Sequence, residues 1–117
     1  MDLKISDLLG MQRELQDKYE AKWGGTPPER GALQLLWGIG EIGEVIDIIK
    51  KRGADEIMHD PVTRAHLVEE MSDVMMYLLD VMLCYGITEE YSEAHAKKHA
   101  HNMHRDYVSE NRHLFDK

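Results

Sequence analysis

Four carboxylates stand in two matched pairs, and each pair interrupts a stretch that is otherwise apolar. Glu41 and Glu44 lie within GIGEIGEVIDIIKKRG, and Glu70 and Asp73 lie within LVEEMSDVMMYLLDVM. The i, i+3 spacing sets the members of each pair one turn apart on one helix face. Carboxylates crowded into core-forming helices cannot all stay ionised unless a cation compensates them or some take up protons. A hard divalent ion that takes oxygen ligands in octahedral geometry, Mg²⁺ with Mn²⁺ as a substitute, is the simplest partner. A second group follows: Lys98, Asn102 and Arg105 recur at i, i+4 and i+7, again on one helix face. Two cations and an amide in a row suit phosphate oxygens and a sugar or base edge. By spacing alone a solvated basic face accounts for them better. Together with the acidic pairs they describe a site for a magnesium-chelated nucleotide.

These residues need helices to hold them, and the joints of four are marked. Leu3 to about Tyr19 carries Ile5, Leu8, Leu9, Leu15 and Tyr19 at amphipathic spacing and runs out into a Lys22-Trp23-Gly24-Gly25 loop. Thr26-Pro27-Pro28-Glu29 reads as a start signal, with Thr26 as N-cap, Pro27 in the first helical position and Glu29 completing a capping box. That second helix runs to Lys50-Lys51-Arg52, whose charges complement the C-terminal dipole, and stops at Gly53. Asp60-Pro61 opens a third helix, which Gly86 closes. Thr88, with Glu89 and Glu90, caps a fourth that continues to about Val108. No strand alternation, repeat or low-complexity tract competes with this reading. The expected class is all-α, a four-helix bundle-like protomer in one domain over residues 1–117, with about 109–117 a loose tail or partner-binding arm.

In the third helix Met71, Val74, Met75, Met76, Leu78, Leu79, Val81, Met82 and Leu83 cover nearly the whole circumference. Four helices of this length barely supply burial on every side, so a second copy is expected to cover part of that surface, as a homodimer or homotetramer. In the second helix Gly38, Gly40 and Gly43 surround Glu41; close helix packing and ligand access explain them equally well.

Composition sets outer limits. The 117 residues give room for one core, and a formal net charge of -8 argues against nucleic acid as a bulk partner. A bound metal locally reverses that field, so nucleotides stay admissible. The lone cysteine, Cys84, sits in an apolar run and reads as a structural thiol. The start, MDLKISDLLG, has no sustained apolar stretch, and the most apolar segment, Val74 to Tyr85, is short for a bilayer and contains Asp80. A cytoplasmic protein without a membrane partner is expected.

Glu41-x-x-Glu44, an interval of 25 residues, then Glu70-x-x-Asp73 resembles the signature of the MazG-type all-α nucleoside triphosphate pyrophosphohydrolases. Lys98-x-x-x-Asn102-x-x-Arg105 is similar to that family's C-terminal substrate-contacting element. The likeness covers most of the chain, from the second helix through the fourth, as a single-domain version. It implies Mg²⁺-dependent hydrolysis of a nucleoside triphosphate, usually a deoxy one, between the α and β phosphates, giving the monophosphate and pyrophosphate. It also implies a helical dimer or tetramer. Glu41, Glu44, Glu70 and Asp73 would be the metal ligands, with Glu41 or Glu44 orienting or deprotonating the attacking water. Lys98 and Arg105 would stabilise phosphate charge, and Asn102 would bond phosphate or sugar.

Base contacts fall to residues that share faces with the carboxylates. Trp37 lies four before Glu41 and Tyr77 four after Asp73. Trp37 divides evenly between core packing and base contact, whereas the Tyr77 hydroxyl tips that residue toward the site. Asp80 and Gln34 are further candidates for an edge contact. Two other readings compete. A di-iron bundle wants Glu-x-x-His, and no histidine stands at that spacing here. A non-enzymatic helical metal-binding or interaction module would show only a solvated acidic face. His95 and His99, at i, i+4, lack an evident third ligand and read as a polar face.

Overall fold

Asp60 fixes the start of the helix that carries the second acidic pair. Its carboxylate accepts from the Thr63 backbone N–H at 3.3 Å and from the Thr63 hydroxyl at 2.7 Å, with Pro61 in the first helical turn. These bonds hold the Asp60 carboxyl below its ordinary value. The computed structural model describes residues 1–105, and helices are the only regular elements among them. They are α1 (Ile5–Lys18), α2 (Glu20–Trp23), a 3₁₀ turn (Pro28–Arg30), α3 (Gly31–His59), α4 (Pro61–Cys84) and α5 (Glu89–His104). The expected all-α class holds for them. Residues 106–117, which include the expected tail, lie outside the described residues.

Several joints differ from the sequence expectation, each for a local reason. Thr26 does not cap the second long helix; its hydroxyl instead accepts from Arg13 Nη1 at 2.9 Å. The segment opens as a 3₁₀ turn after Pro27 instead, and neither that turn nor α3 has a side-chain cap. Gly53 interrupts α3 with φ 81° and ψ 162°, a conformation open essentially to glycine, and helix resumes up to His59. The α4 terminus is a Schellman motif: Gly86, at φ 65°, donates to the Leu83 carbonyl at 3.2 Å, and Ile87 donates to Met82 at 2.9 Å. The turn that follows sets α5 at 114° to α4. Thr88 occupies the α5 N-cap position without a side-chain bond.

The principal packing is α3 along α4, with α1 laid against α4. Gly31 faces Tyr85, Gly38 faces Tyr77, and Glu44 meets Glu70, so the two long helices run antiparallel. At Gly38 a Cβ would stand 3.2 Å from Tyr77 Cβ, so this glycine lets the two helices close at the level of the acidic pairs. Gly40 and Gly43 have open space where a Cβ would be, so packing accounts for the first glycine of the trio and not for the others.

Among the described residues the enclosed apolar core is small: Leu9, Val45, Ile57, Val74, Leu79 and Cys84. Burial pushes the Cys84 thiol up, which suits a structural thiol. Leu35, Ile39, Ile42, Ile46 and Ile49 form an exposed apolar stripe along α3, with Ile39 57% exposed, and Val68, Met71 and Met75 of α4 are also exposed. Exposed apolar surface is therefore found on both α3 and α4, rather than confined to α4 as its composition suggested. Met76 lines the cleft described below and Met82 is half-buried. The radius of gyration, 17.7 Å, exceeds the value of about 13 Å expected for a compact chain of this length. No single helix among the described residues is long and apolar enough to cross a membrane.

Candidate metal and nucleotide site

Antiparallel packing of α3 and α4 brings the two acidic pairs to one level. One carboxylate oxygen each from Glu41, Glu44 and Glu70 lies within 4.8 Å of the others, a spacing that a single cation can span. Glu41 Oε2 and Glu70 Oε2 are enclosed and have no hydrogen-bond donor among the described residues. Oxygens shut off from water without a donor are costly, so the geometry calls for a proton or a metal there. Burial, then the charges of Glu44 and Asp73, pushes the Glu41 carboxyl above its ordinary value. The Glu70 carboxyl is raised in the same way, by desolvation, the Glu44 carboxyl and Asp73, with His66 opposing. Asp73 is half-buried and faces the same cleft, close enough to act on Glu41 and Glu70, although it stands outside the tight trio.

The cleft holds about 980 Å³, room for a nucleotide. Glu41, Glu44 and Asp73 line one part of it, and Trp37 and Tyr77 contribute aromatic faces. Their ring centroids are 6.3 Å apart at 65°, an edge-to-face pair, and the Arg30 guanidinium lies 5.8 Å from the Trp37 ring. Burial, then the charges of Glu41, Asp80 and Asp73, pushes the Tyr77 phenol up, so the hydroxyl stays a neutral donor. Further in, Asp80 is buried and accepts from Gln12 Nε2 at 2.8 Å and from Gln16 Nε2 at 2.9 Å, both on Oδ1. Burial raises the Asp80 carboxyl, while the two amides and Arg13 act in the opposite direction.

Sequence reasoning found Glu41, Glu44, Glu70, Asp73, Trp37, Tyr77, Asp80 and Gln34, and the structure gathers all of them along or beside this cleft. It missed Gln12, Gln16 and Arg30. The first two had a legible signal: Leu9, Gln12 and Gln16 fall on the buried stripe of α1, where polar residues need partners. Arg30 had none, since only the 3₁₀ turn carries it to the Trp37 ring.

The protomer does not bring Lys98, Asn102 and Arg105 to the carboxylates. None of them lines the cleft, and α5 packs extensively on neither α3 nor α4, because the turn at Gly86 directs it away. Lys98 is exposed; Asn102 and Arg105 are half-buried. His95 Nδ1 meets the Tyr91 hydroxyl at 3.0 Å, and the three-glutamate cluster is the candidate metal site among the described residues. Comparison with protein-family models, with characterised proteins and with solved structures finds no match to this chain.

Proposed function

We propose that this chain is a Mg²⁺-dependent nucleoside triphosphate pyrophosphohydrolase that releases a nucleoside monophosphate and pyrophosphate. The observation that carries the reading is the trio Glu41, Glu44 and Glu70, with two enclosed oxygens that lack a donor among the described residues, beside a nucleotide-sized aromatic cleft. The all-oxygen donor set fits Mg²⁺ or Mn²⁺, with Asp73 able to join from the cleft wall. When bound, such an ion neutralises phosphate charge and lowers the pKa of a coordinated water. The chain's own residues do the remainder. Glu41 or Glu44 orients the attacking water and accepts its proton. Trp37 and Tyr77 hold the base and exclude water from it.

Self-association belongs to the same reading. The apolar stripe of α3, the exposed α4 residues and the open shape of the protomer support a homodimer or homotetramer. A second copy would also present its own α5, so that Lys98, Asn102 and Arg105 reach phosphates across the interface.

The test is hydrolysis in ¹⁸O-labelled water with products weighed by mass spectrometry. Label in the monophosphate is the expected outcome. Label only in pyrophosphate places attack at the β phosphorus, and release of orthophosphate with a diphosphate makes the protein a phosphatase of another kind.

A further inference from the structure

The chain has two tryptophans, Trp23 and Trp37, and both line the cleft that holds the carboxylates. Tryptophan is well buried on average, yet these two are 38% and 44% exposed. Trp37 sits one helical turn before Glu41 and forms an edge-to-face pair with Tyr77. Trp23 ends α2, outside the helices that carry the acidic pairs, and the reading above gives it no role. Its ring lies against Tyr19, with centroids 4.7 Å apart and planes inclined by 30°. Lys18 Nζ stands 5.4 Å from the same Tyr19 ring. One face of the Trp23 indole is thereby held, while the residue stays accessible from the cleft.

Arg30 places the two tryptophans at one end of the cleft. Its guanidinium carbon lies 5.8 Å from the centre of the Trp37 ring, and its Nη1 lies 3.1 Å from where a Cβ on Gly24 would stand. Gly24 follows Trp23 directly, so the backbone beside one indole and the ring of the other meet the same side chain. The corner that carries Trp23 is well defined. The backbone N–H groups of Trp23 and Gly24 donate to the Tyr19 and Glu20 carbonyls, each at 2.8 Å. Gly24 and Gly25 then follow at φ 91° and 72°, left-handed conformations that favour glycine. Trp37 and Glu41 stand four residues, about 6 Å, apart along α3. A nucleotide whose phosphates meet Glu41, Glu44 and Asp73 therefore lays its base beside Trp37, at the end to which α2 brings Trp23.

Resting on the reading under Proposed function, we propose that Trp23 is a base-stacking residue, which together with Trp37 holds the nucleobase of the bound nucleotide. An indole offers a broad, rigid apolar face and has only two side-chain torsions to fix, so it contributes contact at small entropic cost. Every base has a π-face, so this contact holds the base without choosing among bases. The bound substrate and its transition state make the contact alike, and Trp23 therefore acts on affinity rather than on the chemical step. Inorganic tripolyphosphate has the phosphates and no base, so it engages the carboxylate end of the cleft and not Trp23.

The experiment measures kcat and KM for dATP, dCTP, dGTP and dTTP in magnesium, with tripolyphosphate as a competing ligand, for the unaltered protein, Trp23→Ala and Trp23→Phe. Binding of the corresponding monophosphates is followed by calorimetry and by tryptophan fluorescence in Trp37→Phe, which keeps Trp23 as the lone indole, so that stacking is read without turnover. We expect the monophosphates to quench Trp23 emission. In Trp23→Ala the KM should rise about tenfold with kcat held within about twofold, a loss typical of one base–aromatic contact. Tripolyphosphate should compete as in the unaltered protein, and Trp23→Phe should recover most of the loss. An unchanged KM in Trp23→Ala, or Trp23 emission indifferent to a monophosphate that calorimetry shows to bind, overturns the stacking role while leaving pyrophosphohydrolysis intact. Equal weakening of tripolyphosphate in Trp23→Ala makes Trp23 a support of the fold and likewise overturns it. Quenching of Trp23 without hydrolysis of any triphosphate keeps the stacking role and overturns the reaction. Failure of the unaltered protein to bind any of these nucleotides overturns both.

Discussion

Replacing Glu41 with glutamine should raise stability without metal and lower it with metal. The trio of carboxylate oxygens lies within 4.8 Å, and two unit charges at that distance repel by about 1 kcal/mol under water-like screening. The exposed Glu44 side chain makes water-like screening the right limit for the Glu41–Glu44 pair. Glutamine keeps the shape of Glu41 and removes that repulsion, and 1 kcal/mol moves the Tm of a domain near 100 residues by about 4–8 °C. Magnesium reverses the order, because an ion bound to the native state at a hundred times its dissociation constant stabilises by about 2.7 kcal/mol. The variant has lost a charged ligand and gains less. Thermal melts of chelator-treated protein across a magnesium titration, at fixed protein concentration, should give two Tm curves that cross. The turnover of the variant should be lost at every magnesium level. A wild-type Tm indifferent to magnesium, or a variant less stable than wild type without metal, would refute the carboxylate trio as a metal site.

Three further outcomes follow from the same geometry. Ile46→Glu places a charge in the exposed α3 stripe and should reduce the particle mass measured by light scattering; a wild-type protein already monomeric at micromolar concentration contradicts the interface. Glu41→Gln and Arg105→Ala should each be inactive alone, and mixing them should restore about a quarter of wild-type activity if each site joins two copies related by a two-fold axis; no recovery on mixing argues that α5 serves no neighbouring site. The raised Glu41 and Asp80 carboxyls bind protons more tightly in the folded state, so the stability they contribute is full below their ordinary values of 4.5 and 3.8 and is lost as pH rises through the higher folded values. Metal-free Tm should therefore fall with rising pH just above that range, less so in Glu41→Gln, and a rise there in wild type contradicts the assignment.

The sequence by itself determined the helical class, the Asp60-Pro61 start, the Gly86 stop and the pairing of acidic residues on helix faces. These are local matters: a cap, a left-handed glycine and a 3.6-residue period act within a few residues of one another. Gly53 was legible as a break for the same reason, although not the helical turn beyond it. That the two pairs meet was a charge argument from sequence. That Glu70 closes on Glu41 and Glu44 while Asp73 stands on the cleft wall was decided by the register of α3 against α4, which Gly38 and Tyr77 set through close contact. Thr26 caps no helix, and its hydroxyl instead meets Arg13, thirteen residues away in sequence. Only tertiary structure joined Gln12 and Gln16 of α1 to Asp80 of α4, across more than sixty residues of chain, since no local rule tells a buried glutamine which carboxylate it will meet. Tertiary structure also separated Lys98, Asn102 and Arg105 from the carboxylates within one protomer. A matching face on α5 fixes which residues travel together, but the 114° turn at its start fixes where they go.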